Sequence, residues 1–361
     1  MKTETTQAYV TIDGRKVGVG EPAYIVAEMS GNHNRDLKRA LSIIDAAKAA
    51  GADAVKLQTY RADTITIDHH SDEFIVKGGL WNGRRLFDLY EEAHTPWEWH
   101  APIFDYAKKI GITVFSSPFD HTAVDFLEEL KSPAYKIASP EIIDLPLIRK
   151  VARTGKPIII STGAATLDEV EEAVNAARSA GAKELVVLHC TAAYPAPPEE
   201  ANLATIADLA KRFDVVTGLS DHTLGTVVSS IAVALGASFI EKHFTLSRAD
   251  GGVDSAFSLE PPELKELVIN SRMAQAAFGK PSYGPTSSEL SVLRNRRSLY
   301  VVKPVAKGDI FTSENIRSIR PANGLKPKNI DLVIGQYASR DIDFGEPLDF
   351  DMIQSFNQNK N

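Results

Sequence analysis

The stretch GLSDHTLGTVVSSIAVALGASFIEKHFTLSRADGGVDSAFSLEP, residues 218–261, decides how the chain is interpreted. A short apolar run precedes His222 and another precedes His243, and residues 226–235 between them are apolar and long enough for a crossover helix. This order predicts a strand, a helix and a second strand, with an imidazole at the exit of each strand. In a parallel β/α protein both exits open on the same face, where sites are built.

Two neighbouring imidazoles have two explanations. Neutral imidazole is a common metal ligand, so His222 and His243 could together hold one divalent cation and leave most of its coordination sphere for substrate. Alternatively, both rings are buried and hydrogen-bonded to the backbone. The polar residues around the pair favour a metal or substrate site: Ser220, Asp221, Lys242 and Asp254.

The same unit recurs from residue 23 onward: an apolar run, polar residues at its end, an amphipathic helix and a glycine. Residues 36–50 show the 3.6-residue period of such a helix, with Gly51 as its cap, and Thr166 with Glu169 forms the sequence pattern of a capping box. Eight apolar runs are predicted strands: 24–27, 54–57, 113–115, 134–137, 157–160, 185–188, 214–217 and 238–240. Eight parallel strands alternating with helices over about 260 residues predict an α/β fold, the (β/α)8 TIM barrel.

The chain is expected to contain two domains. Residues 1–279 are the predicted barrel, with an N-terminal hairpin over residues 8–20 that turns at Asp13-Gly14 and forms a lid or plug. Residues 280–294 are rich in Pro, Gly and Ser and indicate a linker. Residues 295–361, with short alternating runs and turn signals, predict a small β-rich module. An insertion between the second and third strands, residues 60–98, is expected to cap the barrel mouth, and all three tryptophans lie in it or directly beside it: Trp81, Trp97 and Trp99.

Composition excludes several classes of function. The formal net charge of −7 gives no electrostatic footprint for nucleic acid. The N-terminus has no apolar core of signal-peptide length, and no uncharged run reaches the roughly 20 residues of a spanning helix. Cys190 is the only cysteine, which excludes an intrachain disulfide and fits a reducing compartment. We therefore expect a cytoplasmic protein without nucleic-acid or membrane partners.

Every predicted strand delivers polar groups to one rim of the barrel. Lys56 and Lys136 converge there with several hydroxyls, which indicates an anionic substrate, most simply a phosphate. The alternative is that the lysines are solvated or paired with Glu28 and Glu141. No glycine-rich nucleotide fingerprint follows any strand, so a dinucleotide or ATP is not indicated.

Nine motifs follow one another along the chain: IVAEMSGNHN (25–34), VKLQTY (55–60), FSSPFD (115–120), YKIASPE (135–141), IISTG (159–163), HCTAAYPAP (189–197), GLSDHT (218–223), EKHFT (241–245) and RRSLYV (296–301). In this order they resemble the sialic acid synthase family over nearly the whole chain, and the small module resembles that family's antifreeze-like (SAF) domain. LYEEAHTPWEW (89–99) and GGVDSAFSLEP (251–261) are most similar to the branch that makes pseudaminic acid.

The resemblance implies a reaction. Phosphoenolpyruvate condenses with an open-chain 2,4-diacetamido-2,4,6-trideoxy-L-altrose to give a nine-carbon α-keto acid and phosphate. The nearest alternative is a synthase of neuraminic or legionaminic acid from the same family. For the 6-methyl and 4-acetamido groups of the sugar we expect an apolar and aromatic lining from Trp81, Trp97, Trp99 and Phe257.

The resemblance also implies residue roles. His222 and His243 would hold a divalent cation, Mn²⁺ before Mg²⁺ or Co²⁺. Phosphoenolpyruvate would be held by Lys56, Ser117, Lys136, Ser139, Ser161 and Ser220. Glu28 and Glu141 would be the catalytic carboxylates, Glu28 as general acid/base, and the sugar would be positioned by Glu141 together with Gln58, Tyr194 and Asp254. Arg320 would reach the sugar from the partner subunit of a homodimer with exchanged C-terminal domains.

Two further classes of function are considered. A metal-dependent hydrolase or isomerase on the same barrel would often have three protein ligands for its metal, and only two histidines are placed. A non-catalytic carbohydrate- or ice-binding protein would not need polar groups at eight strand ends. The chain also departs from the family motifs at Pro140, Ala192 and Ala322, and none of these positions is a predicted metal ligand, lysine or catalytic carboxylate.

Overall fold

The computed structural model describes residues 9–357. In it, eight parallel strands close into a barrel, as the sequence repeat predicts. After a first hairpin of β1 and β2, the barrel strands are numbered β3 to β10, and β10 closes the barrel by pairing with β3. Their bounds are β3 Tyr24–Glu28, β4 Ala54–Thr59, β5 Thr113–Pro118, β6 Tyr135–Ile137, β7 Ile158–Ser161, β8 Leu185–Cys190, β9 Val216–Asp221 and β10 Phe239–His243.

Two details of the predicted strands are wrong. The strand predicted from residue 214 begins at Val216, because Asp214 adopts a left-handed conformation (φ 49°) that ends the preceding helix. Most strands also continue beyond the apolar run, since backbone pairing proceeds through the polar residues up to Glu28, Cys190 and His243. The polar rim is therefore made of the last residues of the strands, held in the ladder, and not only of the loops that follow.

Helices surround the barrel. The predicted helix after the first barrel strand begins behind Asp36, whose side chain accepts from the Lys38 amide, and ends at Gly51 with φ 91°. Thr166 and Glu169 form the predicted capping box. The helices are α1 Leu37–Ala50, α2 Ala62–Ile65, α3 Leu86–Ala93, α4 Trp97–Ile110, α5 His121–Glu129, α6 Leu145–Ala152, α7 Leu167–Ser179, α8 Ala204–Phe213, α9 Val227–Ala234 and α10 Pro261–Phe278.

The hairpin closes the end of the barrel opposite the polar rim. Strands β1 (Tyr9–Ile12) and β2 (Arg15–Gly18) are antiparallel, and Asp13 and Gly14 both have positive φ, as a two-residue hairpin turn requires. The buried hairpin side chains Val10, Ile12 and Val17 pack with residues from the lower barrel interior. The hairpin is thus a plug under the site. Residues 1–8, including Ala8 of the predicted hairpin, and residues 358–361 lie outside the described part of the chain.

The chain separates into two compact units, residues 1–279 and 280–361. The second unit has its own apolar core around Leu299, Phe311 and Ile353, and one antiparallel pair, β11 (Ser298–Val301) with β12 (Ile316–Ile319). Isolated bridges and two short helices, α11 (Ile330–Val333) and α12 (Gln354–Asn357), complete it. The predicted linker is not wholly irregular, because Ser287–Asn295 forms a 3₁₀ helix. Among residues 9–357, no helix combines the length and apolar character needed to span a bilayer.

Candidate active site

The centre of the polar rim is a buried group of two lysines and one carboxylate. Lys136 lies 2.8 Å and Lys56 3.1 Å from the same oxygen of Glu241, Oε1, and the Ser220 hydroxyl donates to that oxygen over 3.1 Å. All four residues are almost completely buried. Burial alone would raise the pKa of Glu241, but the two lysine charges outweigh it and lower the pKa. The group is therefore held as two cations around one anion.

Glu241 is not among the residues predicted from the sequence, where the lysines are expected to bind phosphate or else to be solvated or paired with Glu28 and Glu141. In the structure Lys56 forms ion pairs with Glu28 and with Glu241. Of the three carboxylates, Lys136 pairs only with Glu241. The sequence pattern could have indicated Glu241. Side chains alternate between the two faces of a strand, so Glu241, two positions before His243, points to the same side as that histidine.

Glu28 lies beside this group. Its Oε1 accepts from the Gln58 amide over 2.9 Å, and its Oε2 lies 3.3 Å from the Lys56 ammonium. Burial raises the pKa of Glu28 to about 7, although Lys56 acts in the opposite direction. A carboxyl group with such a pKa can carry or release a proton near neutral pH, as a general acid or base must.

The predicted serines lie at or just after the ends of barrel strands, on the polar rim. Ser117 accepts from Lys56 over 3.3 Å, and Ser139 accepts from the Gly163 amide over 3.0 Å. Gly163 is required there, because a Cβ would lie 2.7 Å from the Ser139 hydroxyl. The Ser161 hydroxyl is buried without a hydrogen-bond partner. Ser117 and Ser220 thus contact the lysine group, whereas Ser139 and Ser161 lie at the ends of β6 and β7 on the same rim. The proline that departs from the family motif, Pro140, occupies an early position of the 3₁₀ helix Ser139–Ile143, where its fixed φ is tolerated.

The two histidines lie together, with ring centroids 5.4 Å apart. The Nδ1 of His222 lies 2.9 Å from the Thr191 carbonyl, and because a carbonyl only accepts, this nitrogen carries a proton. Burial disfavours the charged ring, but Cys190, whose Sγ lies 3.8 Å from Nδ1, outweighs burial and raises the pKa of His222. In the neutral form of the ring, Nε2 has a free lone pair for a metal. Nδ1 of His243 is buried without a hydrogen-bond partner, and Asp254 Oδ2 lies 3.9 Å from it. Burial, with His222 alongside, lowers the pKa of His243 well below 6.5, so the ring is neutral.

These features fit the implied divalent cation. A neutral imidazole with an unpartnered buried nitrogen, next to one whose orientation is fixed by a carbonyl, is the donor chemistry such an ion needs. Within residues 9–357, no group of three or more His, Cys, Asp or Glu is arranged to hold a metal. The two histidines would therefore leave the remaining positions of the ion to water or substrate.

A buried ion pair holds the backbone next to the histidines. Asp221 and Lys242, the residues before His222 and His243, are register partners, and the Lys242 ammonium lies 2.8 Å from Asp221 Oδ2. Asp221 also accepts from the amide of Thr223, and the Ser229 hydroxyl of α9 donates to it. These side chains alternate with Ser220 and Glu241 and face the helices. The pair fixes the two strand exits relative to each other.

A cavity of about 460 Å³ opens beside His243. The predicted sugar residues Gln58, Glu141, Tyr194 and Asp254 all line it. Burial raises the pKa of Glu141 to about 7. The wall is largely apolar and comes mainly from the insertion between β4 and β5, with Tyr60, Ile65, Val76, Trp81, Leu86, Leu89 and Tyr90.

The expected aromatic lining is only partly correct. Trp81 lines the cavity and lies 5.6 Å from Tyr194, and Phe257 lies 4.8 Å from His243. Trp97 instead stacks on Phe126 of α5 at 4.5 Å, and Trp99 packs against the barrel core. Both belong to α4, where they are partly buried on different sides of the helix and make these contacts instead of lining the cavity. Arg320 is exposed and lies in the second unit.

Polar atoms without a hydrogen bond concentrate in the site. Nine buried side-chain nitrogen or oxygen atoms of the described residues make no hydrogen bond, and five of them belong to site residues, although one of the five, Glu28 Oε2, forms the ion pair with Lys56. They are Glu28 Oε2, Glu141 Oε2, Ser161 Oγ, Glu241 Oε2 and His243 Nδ1. Because unpaired buried polar groups are costly and rare, this concentration indicates a site built for polar ligands.

Known proteins resemble both units. The chain matches the NeuB family over residues 43–283 and the SAF domain over residues 296–354. A pseudaminic acid synthase of Campylobacter jejuni subsp. jejuni is 45% identical over 90% of this chain and 95% of its own length. A pseudaminic acid synthase of Helicobacter pylori is 43% identical over 92% of this chain and 98% of its own length. An N,N'-diacetyllegionaminic acid synthase of C. jejuni is 39% identical over 88% of this chain and 96% of its own length. The crystal structure of spore coat polysaccharide biosynthesis protein SpsE from Bacillus subtilis has a TM-score of 0.66 and 36% identity, and it covers 96% of this chain and 99% of that chain.

Proposed function

The chain belongs to the NeuB family, and from this premise we propose that it condenses phosphoenolpyruvate with 2,4-diacetamido-2,4,6-trideoxy-L-altrose to give pseudaminic acid and phosphate. It is thus a carbon–carbon bond-forming transferase. The observation that carries the choice of sugar is the higher identity to pseudaminic acid synthases than to a legionaminic acid synthase. The alternative is a synthase of legionaminic or neuraminic acid.

Phosphoenolpyruvate is held by the lysine group and the hydroxyls around it. Lys56 and Lys136 supply the positive charge, and directed donors come from Ser117, Ser139, Ser161 and Ser220. Support comes from the burial of both lysines, from the contact of Lys56 with Ser117, and from the buried Ser161 hydroxyl at the end of β7, which has no hydrogen-bond partner. Charge-assisted hydrogen bonds to phosphate or carboxylate oxygens are strong in such a water-poor place.

The reaction forms one carbon–carbon bond and breaks one carbon–oxygen bond. The methylene carbon of phosphoenolpyruvate attacks the sugar aldehyde, water adds to the central carbon, and the tetrahedral intermediate expels phosphate. Glu28 moves the proton as general acid/base at the central carbons, and its raised pKa and its contact with Gln58 suit that role. Glu141 is the second catalytic carboxylate and also positions the sugar.

His222 and His243 hold the divalent cation, Mn²⁺ before Mg²⁺ or Co²⁺. When bound, such an ion polarises the aldehyde oxygen as a Lewis acid. The chain itself contributes the orientation of the rings through the Thr191 carbonyl and the ion pair of Asp221 and Lys242.

The cavity beside His243 takes the sugar. Its polar residues, Gln58, Tyr194 and Asp254 with Glu141, position the hydroxyl and amide groups. The apolar wall of the insertion, with Val76, Leu86 and Leu89, suits the 6-methyl group and the acetamido methyl groups of a 6-deoxy diacetamido sugar, because burying each methyl stabilises the complex by about 0.8 kcal/mol.

The enzyme acts as a cytoplasmic homodimer with exchanged C-terminal domains. Arg320 of each chain reaches the sugar bound in the partner's barrel. This arrangement is isologous, since each chain gives the same module and receives the same module. The single, buried Cys190 agrees with a reducing compartment.

A panel of amino sugars tests the proposal. The protein is incubated with phosphoenolpyruvate, a divalent cation and one sugar at a time, and phosphate release and product mass are measured. We expect a nine-carbon diacetamido keto acid with the altrose derivative and a kcat/KM for N-acetylmannosamine lower by at least tenfold, about 1.4 kcal/mol. Comparable kcat/KM values would refute the sugar assignment alone. Absence of sugar-dependent phosphate release with every sugar would refute the reaction.

A further inference from the structure

The carboxylate of Glu241 occupies the place where a bound anion is expected. Its Oε1 accepts from Lys136, Lys56 and Ser220 at 2.8, 3.1 and 3.1 Å. These three donors are half of the residues assigned above to phosphoenolpyruvate. Its second oxygen, Oε2, is buried and makes no hydrogen bond.

The contact of Glu241 with the lysines lowers the free-energy cost of burying them when no anion is bound. Two lysines that are 4% and 2% exposed would be strongly destabilising without a counter-charge. Glu241 supplies that charge from β10 to Lys136 on the opposite strand β6, and it shares Lys56 of β4 with Glu28. An incoming phosphate must compete with the carboxylate for the same N–H donors.

We propose that Glu241 is an internal counter-anion, a carboxylate that holds the two lysines in place when the site is empty and weakens the binding of phosphate. The inference rests on the proposed function for the nature of the anion. Phosphoenolpyruvate, which has a carboxylate and a phosphate, can engage both lysines and displace Glu241 from them. Inorganic phosphate has fewer contacts with which to offset that displacement, so the product leaves. Glu241 is thus a positioning residue that sets the affinity for anions.

The variant Glu241→Gln tests this. Glutamine has nearly the same shape but no charge, so Lys136 loses its ion pair and Lys56 keeps only Glu28. Both ammonium groups can then bind phosphate with less competition. We expect isothermal titration calorimetry of the full chain, with and without a divalent cation, to give a Kd for inorganic phosphate at least about tenfold lower than in the wild type. Phosphate should also raise the melting temperature of the variant more than that of the wild type, because binding to the folded state stabilises it.

Glu128→Gln is the matched control. It makes the same change at a carboxylate that pairs with a lysine, Lys156 at 2.6 Å, but at the C-terminal end of α5 and away from the polar rim, so its phosphate affinity should equal that of the wild type. Should Glu241→Gln fail to fold, Glu241→Asp replaces it. The shorter side chain cannot reach both lysines, and its affinity for phosphate should change in the same direction by a smaller factor.

A phosphate affinity that is unchanged or weaker in the Glu241 variants would refute the proposal that Glu241 is a counter-anion. The absence of phosphate binding in both the variants and the wild type would also refute it. The proposed function is judged separately, by the consumption of phosphoenolpyruvate in the wild type. If the wild type condenses the sugar while the variants bind phosphate no more tightly, only the inference about Glu241 fails.

Discussion

Replacing Lys242 by methionine should destabilise the barrel strongly. Methionine keeps the length and apolar stem of the side chain but removes the ammonium group. The Lys242 ammonium contacts Asp221 Oδ2 at 2.8 Å and also donates to the Thr223 carbonyl. The side chains of both ion-pair partners are 1% exposed, so no water can replace the lost contact.

The expected loss in the free energy of unfolding follows from the burial of the ion pair. Removing one partner of a buried ion pair leaves the other charge uncompensated and costs about 3–5 kcal/mol. Asp221 keeps its bonds from Thr223 and Ser229, so the value should lie at the lower end, about 3 kcal/mol. The double variant Asp221→Asn with Lys242→Met has no buried charge, and it should recover at least about 2 kcal/mol of the sum of the single losses.

Urea unfolding followed by tryptophan fluorescence provides the measurement. Trp81, Trp97 and Trp99 all lie within residues 1–279, so the signal reports the barrel unit. The Kd for Mn²⁺, from calorimetry, should also rise in Lys242→Met, because the pair fixes the exits that carry His222 and His243. A loss below about 1 kcal/mol, or strictly additive single losses, would refute the reasoning from the buried pair.

The remaining predictions concern pH, metal and subunit exchange. Burial raises the pKa of Glu141 from 4.5 to about 7, so in this window the folded state binds more protons than the unfolded state, and the carboxyl should lower wild-type stability by about 3 kcal/mol as pH rises through it. Glu141→Gln should remove this contribution when urea midpoints are compared at about pH 5 and pH 8, while Glu28, whose pKa is also about 7, keeps its own; an unchanged pH profile would contradict it. His243→Ala should keep its circular dichroism spectrum but lose calorimetric Mn²⁺ binding and condensation, and full turnover of exhaustively chelated wild type would end the metal assignment. Glu28→Gln and Arg320→Ala should each be nearly inactive, whereas mixed and refolded chains should regain about a quarter of their sites; no recovery despite demonstrated heterodimers would remove Arg320 from the partner's site.

Local sequence periodicity was enough to predict the barrel and the rim. Alternating apolar runs, helix caps and glycines are set by neighbouring residues, so eight strands, their order and the hairpin turn at Asp13-Gly14 could be read without a structure. The position of His222 and His243 at adjacent strand exits follows from the same pattern. The resemblance of nine motifs to a known family then indicated the substrate and the proposed residue roles, which periodicity could not.

Only the tertiary structure decided which charges meet across the barrel. Lys56, Lys136 and Glu241 lie on three strands that are distant in sequence, and their contact depends on the tilt and stagger with which the sheet closes. The direction in which α4 turns Trp97 and Trp99, toward helix and core contacts instead of the cavity, likewise depends on packing against neighbours. The local sequence determines on which face of its strand or helix a side chain lies. The residues that this side chain contacts belong to segments distant in sequence, and their positions are fixed only when the barrel closes.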